Sequence, residues 1–343
     1  MKDWIAVTKI RLEASSRCQL RCPSCPTTSG AIQPAIGSGV LKFSDFKALL
    51  DGNPGLREIE LSNYGEIFLN PELIPILEYA WLRKVQIWAA NGVNLNHVQP
   101  EVLEAVVKYG VRQLRVSLDG ASQATYAIYR VRGNFERVIE NVRTINAFKA
   151  QYGTSYPELL WQFIVFGHNE HELSQARALA AELNMKFKPK LTWDDDFAPL
   201  KHPEQVRQEL GLSEVTRSEY QAQHGQDYAQ RTCHQLWDSP QINYDGRVLG
   251  CCRNFWGDFG ANALSEGLDA AINSPRMQVA RAMLLGRHPA QDHIPCTTCE
   301  IYETMKANHR WLVRPTRLQQ FQARLSQTYA RLRQVFTRPK TIA

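Results

Sequence analysis

Three cysteines lie close together near the start of the chain, Cys18, Cys22 and Cys25, in the pattern Cys-x3-Cys-x2-Cys. Thiolates at this spacing can converge on one inorganic centre. A structural zinc site wants four protein ligands, and no fourth Cys or His is nearby in sequence, His97 being the first histidine. On a four-iron cluster, three thiolates leave one iron open to a substrate or cofactor. Three structural thiols, or a zinc knot completed from elsewhere, are the plainer alternatives. Five further cysteines follow: Cys233, Cys251, Cys252, Cys296 and Cys299. Between the first two lies Asp245-Gly246, a strong hairpin signal because both turn positions need positive φ. A hairpin of residues 241–244 and 247–250 would bring Cys233 and Cys251 together, and Cys296-x2-Cys299 would complete four thiolates. Four saturate a second 4Fe-4S cluster, but they suit tetrahedral zinc equally well. Cys252 is surplus and reads as a small buried residue.

The elements that must position these residues alternate through the first 190 positions. Strands are predicted over 6–13, 56–62, 85–90, 113–118, 159–166 and 185–191, and helices over 43–50, 71–82, 100–109, 134–150 and 169–183. Such alternation implies a parallel sheet with right-handed crossovers, wholly or partly closed. Six units fall short of eight. The fold class expected is therefore α/β, a partial (β/α)6 TIM-like barrel with a small C-terminal β-hairpin-containing auxiliary-cluster domain. Chemistry in such sheets collects beyond the carboxyl ends of the strands, and the Cys18–Cys25 loop follows the first strand. The organisation predicted is a barrel over 1–191, a linker over 192–232, a cysteine unit over 233–303 and a basic amphipathic helix over 304–343.

Asp194, Asp195 and Asp196 fall just past the sixth strand, where a carboxylate could orient a polar substrate or accept a proton. A solvated acidic loop is the alternative. The run His168-Asn169-Glu170-His171-Glu172 lacks the His-Glu-x-x-His spacing, and Asn169 with Glu172 is expected to form a capping box for the next helix.

Composition bounds the rest. With 343 residues, 44% hydrophobic and 22% charged, the chain is neither disordered nor of low complexity. Its apolar runs fall short of the ~18 residues of a spanning helix, and the amino terminus lacks the pattern of a secretory signal, so a cytoplasmic location is expected. A reducing compartment favours metal thiolates over disulfides. The net charge of +6 is concentrated in residues 304–343, which hold nine Lys and Arg and no carboxylate and leave the remainder at −3. That balance argues against a whole-surface nucleic-acid binder. In the tail, Leu318, Phe321, Leu325, Leu332 and Phe336 recur at helical spacing between arginines. Packing on the barrel is expected for it, ahead of a membrane surface, nucleic acid or a protein partner.

The segment RCQLRCPSC after a first strand resembles the cluster-binding motif of the radical S-adenosylmethionine (radical SAM) superfamily. Tyr64-Gly65-Glu66-Ile67 resembles the Gly-Glu-Pro segment that receives the methionine amino group in that family. Asn91-Gly92 and Ser117-Leu118-Asp119-Gly120 end the third and fourth strands, and Arg130 in YRVRGNF resembles the basic residue that meets the methionine carboxylate. The resemblance implies Cys18, Cys22 and Cys25 as ligands of a 4Fe-4S cluster, and Gly65, Glu66, Asn91, Ser117, Asp119 and Arg130 as contacts of S-adenosylmethionine. It also implies cleavage of that cofactor to a 5′-deoxyadenosyl radical that abstracts hydrogen from substrate. Ser24 stands where the family often has an aromatic residue, and Ile67 where it has proline.

Cys233, Cys251, Cys296 and Cys299 resemble the ligand set of the twitch domain, the shortened relative of the SPASM domain, which would hold a second, auxiliary 4Fe-4S cluster. Together the two resemblances imply a two-electron oxidation of a carbohydrate, cyclitol or related metabolite, with the auxiliary cluster as electron acceptor and a donor such as flavodoxin or ferredoxin. Maturation of a ribosomal peptide by thioether formation, crosslinking or epimerisation is the rival among enzymes. A zinc-bound scaffold with a nucleic-acid-binding tail is the rival outside them.

Overall fold

Among the residues described by the computed structural model, 4–314, eight strands make one sheet. They are β1 (Lys9–Leu12), β2 (Glu58–Glu60), β3 (Gln86–Val93), β4 (Gln113–Ser117), β5 (Glu158–Val165), β6 (Lys186–Leu191), β7 (Gln241–Ile242) and β8 (Val248–Gly250), in the order β6-β5-β4-β3-β2-β1-β7-β8. The first six run parallel, each beside the next, and β6 does not close onto β1. The expected open, partial α/β barrel is what the chain forms.

Side chains alternate across a strand, and here the two faces differ in kind. Ile10, Leu12, Ile59, Leu114, Val116, Trp161 and Phe163 are buried in one core. They lie under helices Phe43–Gly52, Leu73–Leu82, Pro100–Lys108, Phe135–Gln151 and Leu173–Glu182. Helix Pro100–Lys108 shows how the sequence achieves this. Proline in the first turn fixes φ where no N–H partner is needed, and Leu103, Val106 and Val107 then bury one face. The intervening strand residues, among them Arg11, Glu60, Trp88, Arg115 and Gln162, point to the concave face.

The hairpin forms around Asp245-Gly246, but only Gly246 takes positive φ, 89°, and Asn243 N donates to Arg247 O across a loop wider than the two-residue turn expected. It is no separate sheet, because β7 runs parallel to β1 in the register Arg11↔Gln241 and Leu12↔Ile242. Residues 192–232 contain helices Pro203–Leu210 and Arg217–His224, each closed by a left-handed glycine, Gly211 or Gly225. A helix the sequence pattern does not announce, Gln123–Tyr129, starts at Ser122, whose side chain accepts from Thr125 N.

The expected capping box at Asn169 and Glu172 does not form. The chain passes through a single 3-10 turn, Glu170–Glu172, before the helix begins at Leu173. Asn169 Oδ1 accepts from Phe166 N, and its Nδ2 donates to Asp119 O and Ile164 O. Glu172 accepts from Ala121 N and from the hydroxyls of Ser122 and Thr125. Tertiary partners have taken both side chains. The amphipathic helix expected over 304–343 lies, beyond Arg314, outside the described residues. Among those described, no helix is long and apolar enough to cross a membrane.

Candidate functional site

The first cysteine loop leaves β1 at the carboxyl edge of the sheet. Cys25 N donates to Cys22 O at 3.1 Å, and Arg21 N to Val131 O at 3.0 Å, so the loop is pinned at both ends of its turn. Cys18, Cys22 and Cys25 pack against Leu20, Tyr129, Ile164, Phe166 and Phe197. Two of the sulfurs receive side-chain donors: Asn94 Nδ2 lies 3.7 Å from Cys18 Sγ, and Arg130 Nη1 3.6 Å from Cys22 Sγ. Burial pushes the Cys18 thiol up to about 12, with the Glu66 carboxylate adding to it. Burial also raises Cys22, while Arg130 pulls it down. Three gathered thiols are what a positively charged iron centre would ionise on binding, so the donor set fits such a cluster.

The segment after β2 is zipped onto this loop. Glu66 N donates to Arg17 O at 2.7 Å. A Cβ on Gly65 would come within 2.1 Å of Ser15 O and 2.6 Å of Arg17 O, so only glycine permits the approach. Glu66 is 2% exposed and accepts from Asn94 N at 2.5 Å and Phe68 N at 3.4 Å. Burial raises its carboxyl to about 7. Glu13, which the sequence reading leaves as the end of a strand, clamps the same turn: its carboxylate accepts from Tyr64 N at 3.1 Å and Gly65 N at 3.3 Å. Its full burial pushes it up to about 8.

The other expected cofactor contacts line the adjoining strand ends. Asn91 Nδ2 donates to Asn63 Oδ1, and Ser117 Oγ accepts from Gln162 Nε2. Asp119 has both oxygens occupied, Oδ1 by Ile164 N at 2.7 Å and Oδ2 by Arg130 Nε at 2.6 Å. It holds the guanidinium beside Cys22. The acidic loop is likewise tied down. Asp194 accepts from Ser24 Oγ at 2.5 Å and from Phe197 N, which fastens this loop to the cysteine loop, and Asp195 Oδ2 accepts from Ser218 Oγ. Asp195 Oδ1 lies out of solvent without a partner, and Asp196 is exposed.

The second set comes together as the hairpin and the later Cys-x2-Cys suggest. Cys233, Cys251, Cys296 and Cys299 border one pocket with Leu236, Leu249, Phe259, Leu284, Ile301 and Tyr302. Burial, then the neighbouring thiols, raises Cys233 and Cys296, and Cys251 is pushed up to about 12. Backbone N–H groups of Arg253 and Asn254 serve Cys251, and those of Tyr302 and Ile301 serve Cys299. Four thiols bordering one apolar pocket suit a 4Fe-4S cluster or a tetrahedral zinc ion. Cys252 stands outside the set, its N donating to Gln235 Oε1 and its sulfur accepting from Gln235 Nε2. Tyr64 joins the two regions. Thr27 Oγ1 donates to its carbonyl at 2.7 Å, and its own hydroxyl donates to Asn254 O at 2.8 Å.

Residues 12–173 match the sequence model of the Radical SAM superfamily. The AdoMet-dependent heme synthase of Methanosarcina barkeri is 29% identical over 181 residues, 51% of this chain and 47% of that protein. The GTP 3′,8-cyclase of Geobacter sulfurreducens is 27% identical over 148 residues, 41% of this chain and 43% of that one. The chain thus matches less than half the length of these curated relatives. Its fold is similar to the crystal structure of Streptococcus suis SuiB bound to S-adenosylmethionine, with a TM-score of 0.60 and 11% identity, over 87% of this chain and 71% of that one.

Proposed function

We propose that the protein is a radical SAM oxidoreductase that removes two electrons from a polar metabolite of the carbohydrate or cyclitol kind, with residues 233–303 forming a twitch-like auxiliary domain. The observation that carries this is the pairing of two thiol sets, one of three and one of four, joined through Tyr64. Cys18, Cys22 and Cys25 would hold one 4Fe-4S cluster, and Cys233, Cys251, Cys296 and Cys299 the other. When bound, the first cluster with S-adenosylmethionine supplies a hydrogen-abstracting 5′-deoxyadenosyl radical, and the second supplies an acceptor for the electron left on the substrate.

The chain's own residues orient and neutralise. Gly65 lets the turn approach the cysteine loop, so that Glu66 can accept from the methionine ammonium, a charge-assisted contact. Arg130, fixed by Asp119, would meet the methionine carboxylate. Asn91 and Ser117 are left for the nucleoside. Among the three acidic-loop residues, Asp195 has the unpartnered buried oxygen and is the group we assign to take the substrate proton. Loss of a hydrogen atom, a proton and an electron then balances as an oxidation by two electrons. A flavodoxin- or ferredoxin-like protein would supply the reducing electron.

Anaerobic incubation with S-adenosylmethionine, a strong reductant and deuterated polyols tests this. Expected are 5′-deoxyadenosine carrying deuterium and a product lacking two hydrogens. A product of unchanged mass would remove the oxidation and leave radical chemistry standing.

A further inference from the structure

The concave face of the sheet holds cations that the chain does not neutralise. Alternation places Trp88, Arg115 and Gln162 there, because their strand neighbours Ile87, Ala89, Leu114, Val116, Trp161 and Phe163 are all buried under the helices. Lys190, next to the buried Leu191 at the end of β6, shares that face. Arg217, at the start of helix Arg217–His224, lies close enough to bear on Lys190, as does Arg115. Burial first, then these two guanidinium groups, pushes the Lys190 ammonium down to about 8.

Among the described residues, Arg115, Lys190 and Arg217 form no ion pair. Lys190 lies over the ring of Trp193 at 5.7 Å, and Arg217 over that of Tyr228 at 5.2 Å. Arg115 Nε, Arg217 Nε and Trp88 Nε1 are out of solvent and have no acceptor. Other arginines at this end of the sheet are satisfied: Arg11 by Gln241 and Ser62 O, and Arg130 by Asp119. The carboxylates that bear on Arg115 and Arg217 are hydrogen-bonded elsewhere, Glu60 with Ser62 and Ala90 N, Asp227 with Ala229 N, and Asp195 through one of its oxygens with Ser218. Buried donors and unpaired cations are costly. A ligand carrying the opposite charge would relieve that cost.

We propose that the chamber takes a substrate with an oxyanion group, phosphate or carboxylate, met by Arg115, Lys190 and Arg217; the assignment rests on the concave face being the substrate chamber of the oxidation described above. The substrate would then be an acidic or phosphorylated sugar or cyclitol rather than a neutral one.

Titration calorimetry on anaerobically reconstituted full-length protein, with S-adenosylmethionine present and no reductant, tests this with pyrophosphate, citrate and neutral myo-inositol as probes. At least one anion should bind at least tenfold more tightly than myo-inositol, and the tighter of the two shows whether phosphate or carboxylate is preferred. Arg115→Met combined with Lys190→Met should weaken that anion at least tenfold. Arg217→Gln, a single change outside the sheet, is read in parallel as a guard against misfolding of the double variant and should weaken it at least threefold. Arg143→Gln, on an exposed side chain of an outer helix, should change it less than twofold. Anion affinity equal to that of myo-inositol, or unaltered in well-folded Arg217→Gln, overturns the proposal. No turnover is needed, so a protein that binds the anion without oxidising anything would sink the proposed reaction alone.

Discussion

The two cysteine regions differ less in their thiols than in what surrounds them. Cys18, Cys22 and Cys25 pack on Leu20, Ile164 and aromatic rings but also have side-chain donors on their sulfurs, Asn94 on one and Arg130 on another, with the buried Glu66 close by. Around Cys233, Cys251, Cys296 and Cys299 stand leucines and aromatic rings with Thr232, Arg253 and Asn254 at the border, and the hydrogen bonds to Cys251 and Cys299 come from backbone N–H groups. Hydrogen bonds to sulfur and exclusion of water both tune a cluster's potential, by different means. A set of three, with side-chain donors on two of its sulfurs, is suited to receive a fourth, exchangeable ligand. Four in an apolar pocket are suited to closure. On the proposed function, the first region would bind the cofactor and the second would pass electrons.

Removing ligands breaks the contrast most severely. Reconstituted protein should carry about eight iron, and replacing either Cys18, Cys22 and Cys25 or Cys296 and Cys299 should leave about four. Only the first replacement should abolish 5′-deoxyadenosine formation. The second should leave hydrogen abstraction running and remove the oxidised product. Equal loss of cleavage in both would erase the division of labour.

Glu66→Gln sharpens the picture of the open region. It should weaken S-adenosylmethionine binding by ~1.5–3 kcal/mol, read by equilibrium dialysis, while iron content stays near wild type. Unchanged affinity would move the ammonium contact elsewhere.

Glu13 should act through folding. Its carboxyl, raised to about 8 from 4.5, holds a proton in the native state that the unfolded chain releases above 4.5. Stability therefore falls as pH rises through that window. Glu13→Gln should flatten the fall by ~1–3 kcal/mol in denaturation at about pH 5.5 and about pH 8. The smallest effect belongs to Cys252→Ala, since that sulfur lies outside the set and touches Gln235. Both clusters and turnover should survive. Loss of turnover with unchanged product mass in the wild type would instead mark Cys252 as a hydrogen donor of an epimerase.

Periodicity made the six barrel strands legible, because each buries one face against helices and the pattern is local. The cysteine sets were legible for the same reason, with the Asp245-Gly246 turn supplying the missing proximity. What escaped acts at a distance in sequence. Glu13 clamps a turn 51 residues away, and nothing around it in the chain marks that role. Asn169 and Glu172 have the right spacing for a cap, yet stronger tertiary partners claim them. Asp119 reads as a turn residue or a cofactor contact, and in the fold it secures Arg130. The unpaired cations of the chamber are scattered over β4, β6 and a helix beyond, so their convergence needs the sheet.

The parallel pairing of β7 with β1 also bears on how the chain can be cut. Arg11 N and Glu13 N donate to Pro240 O and Ile242 O, so the free edge of the barrel is covered by a segment from the far side of the second cysteine unit's start. Expressed without residues beyond about 232, the barrel would present β1 as a bare strand, a template on which further copies add edge to edge. Solubility of the barrel is thus borrowed from the lobe that follows it, and a truncation meant to isolate the barrel would yield aggregates before it yielded an answer.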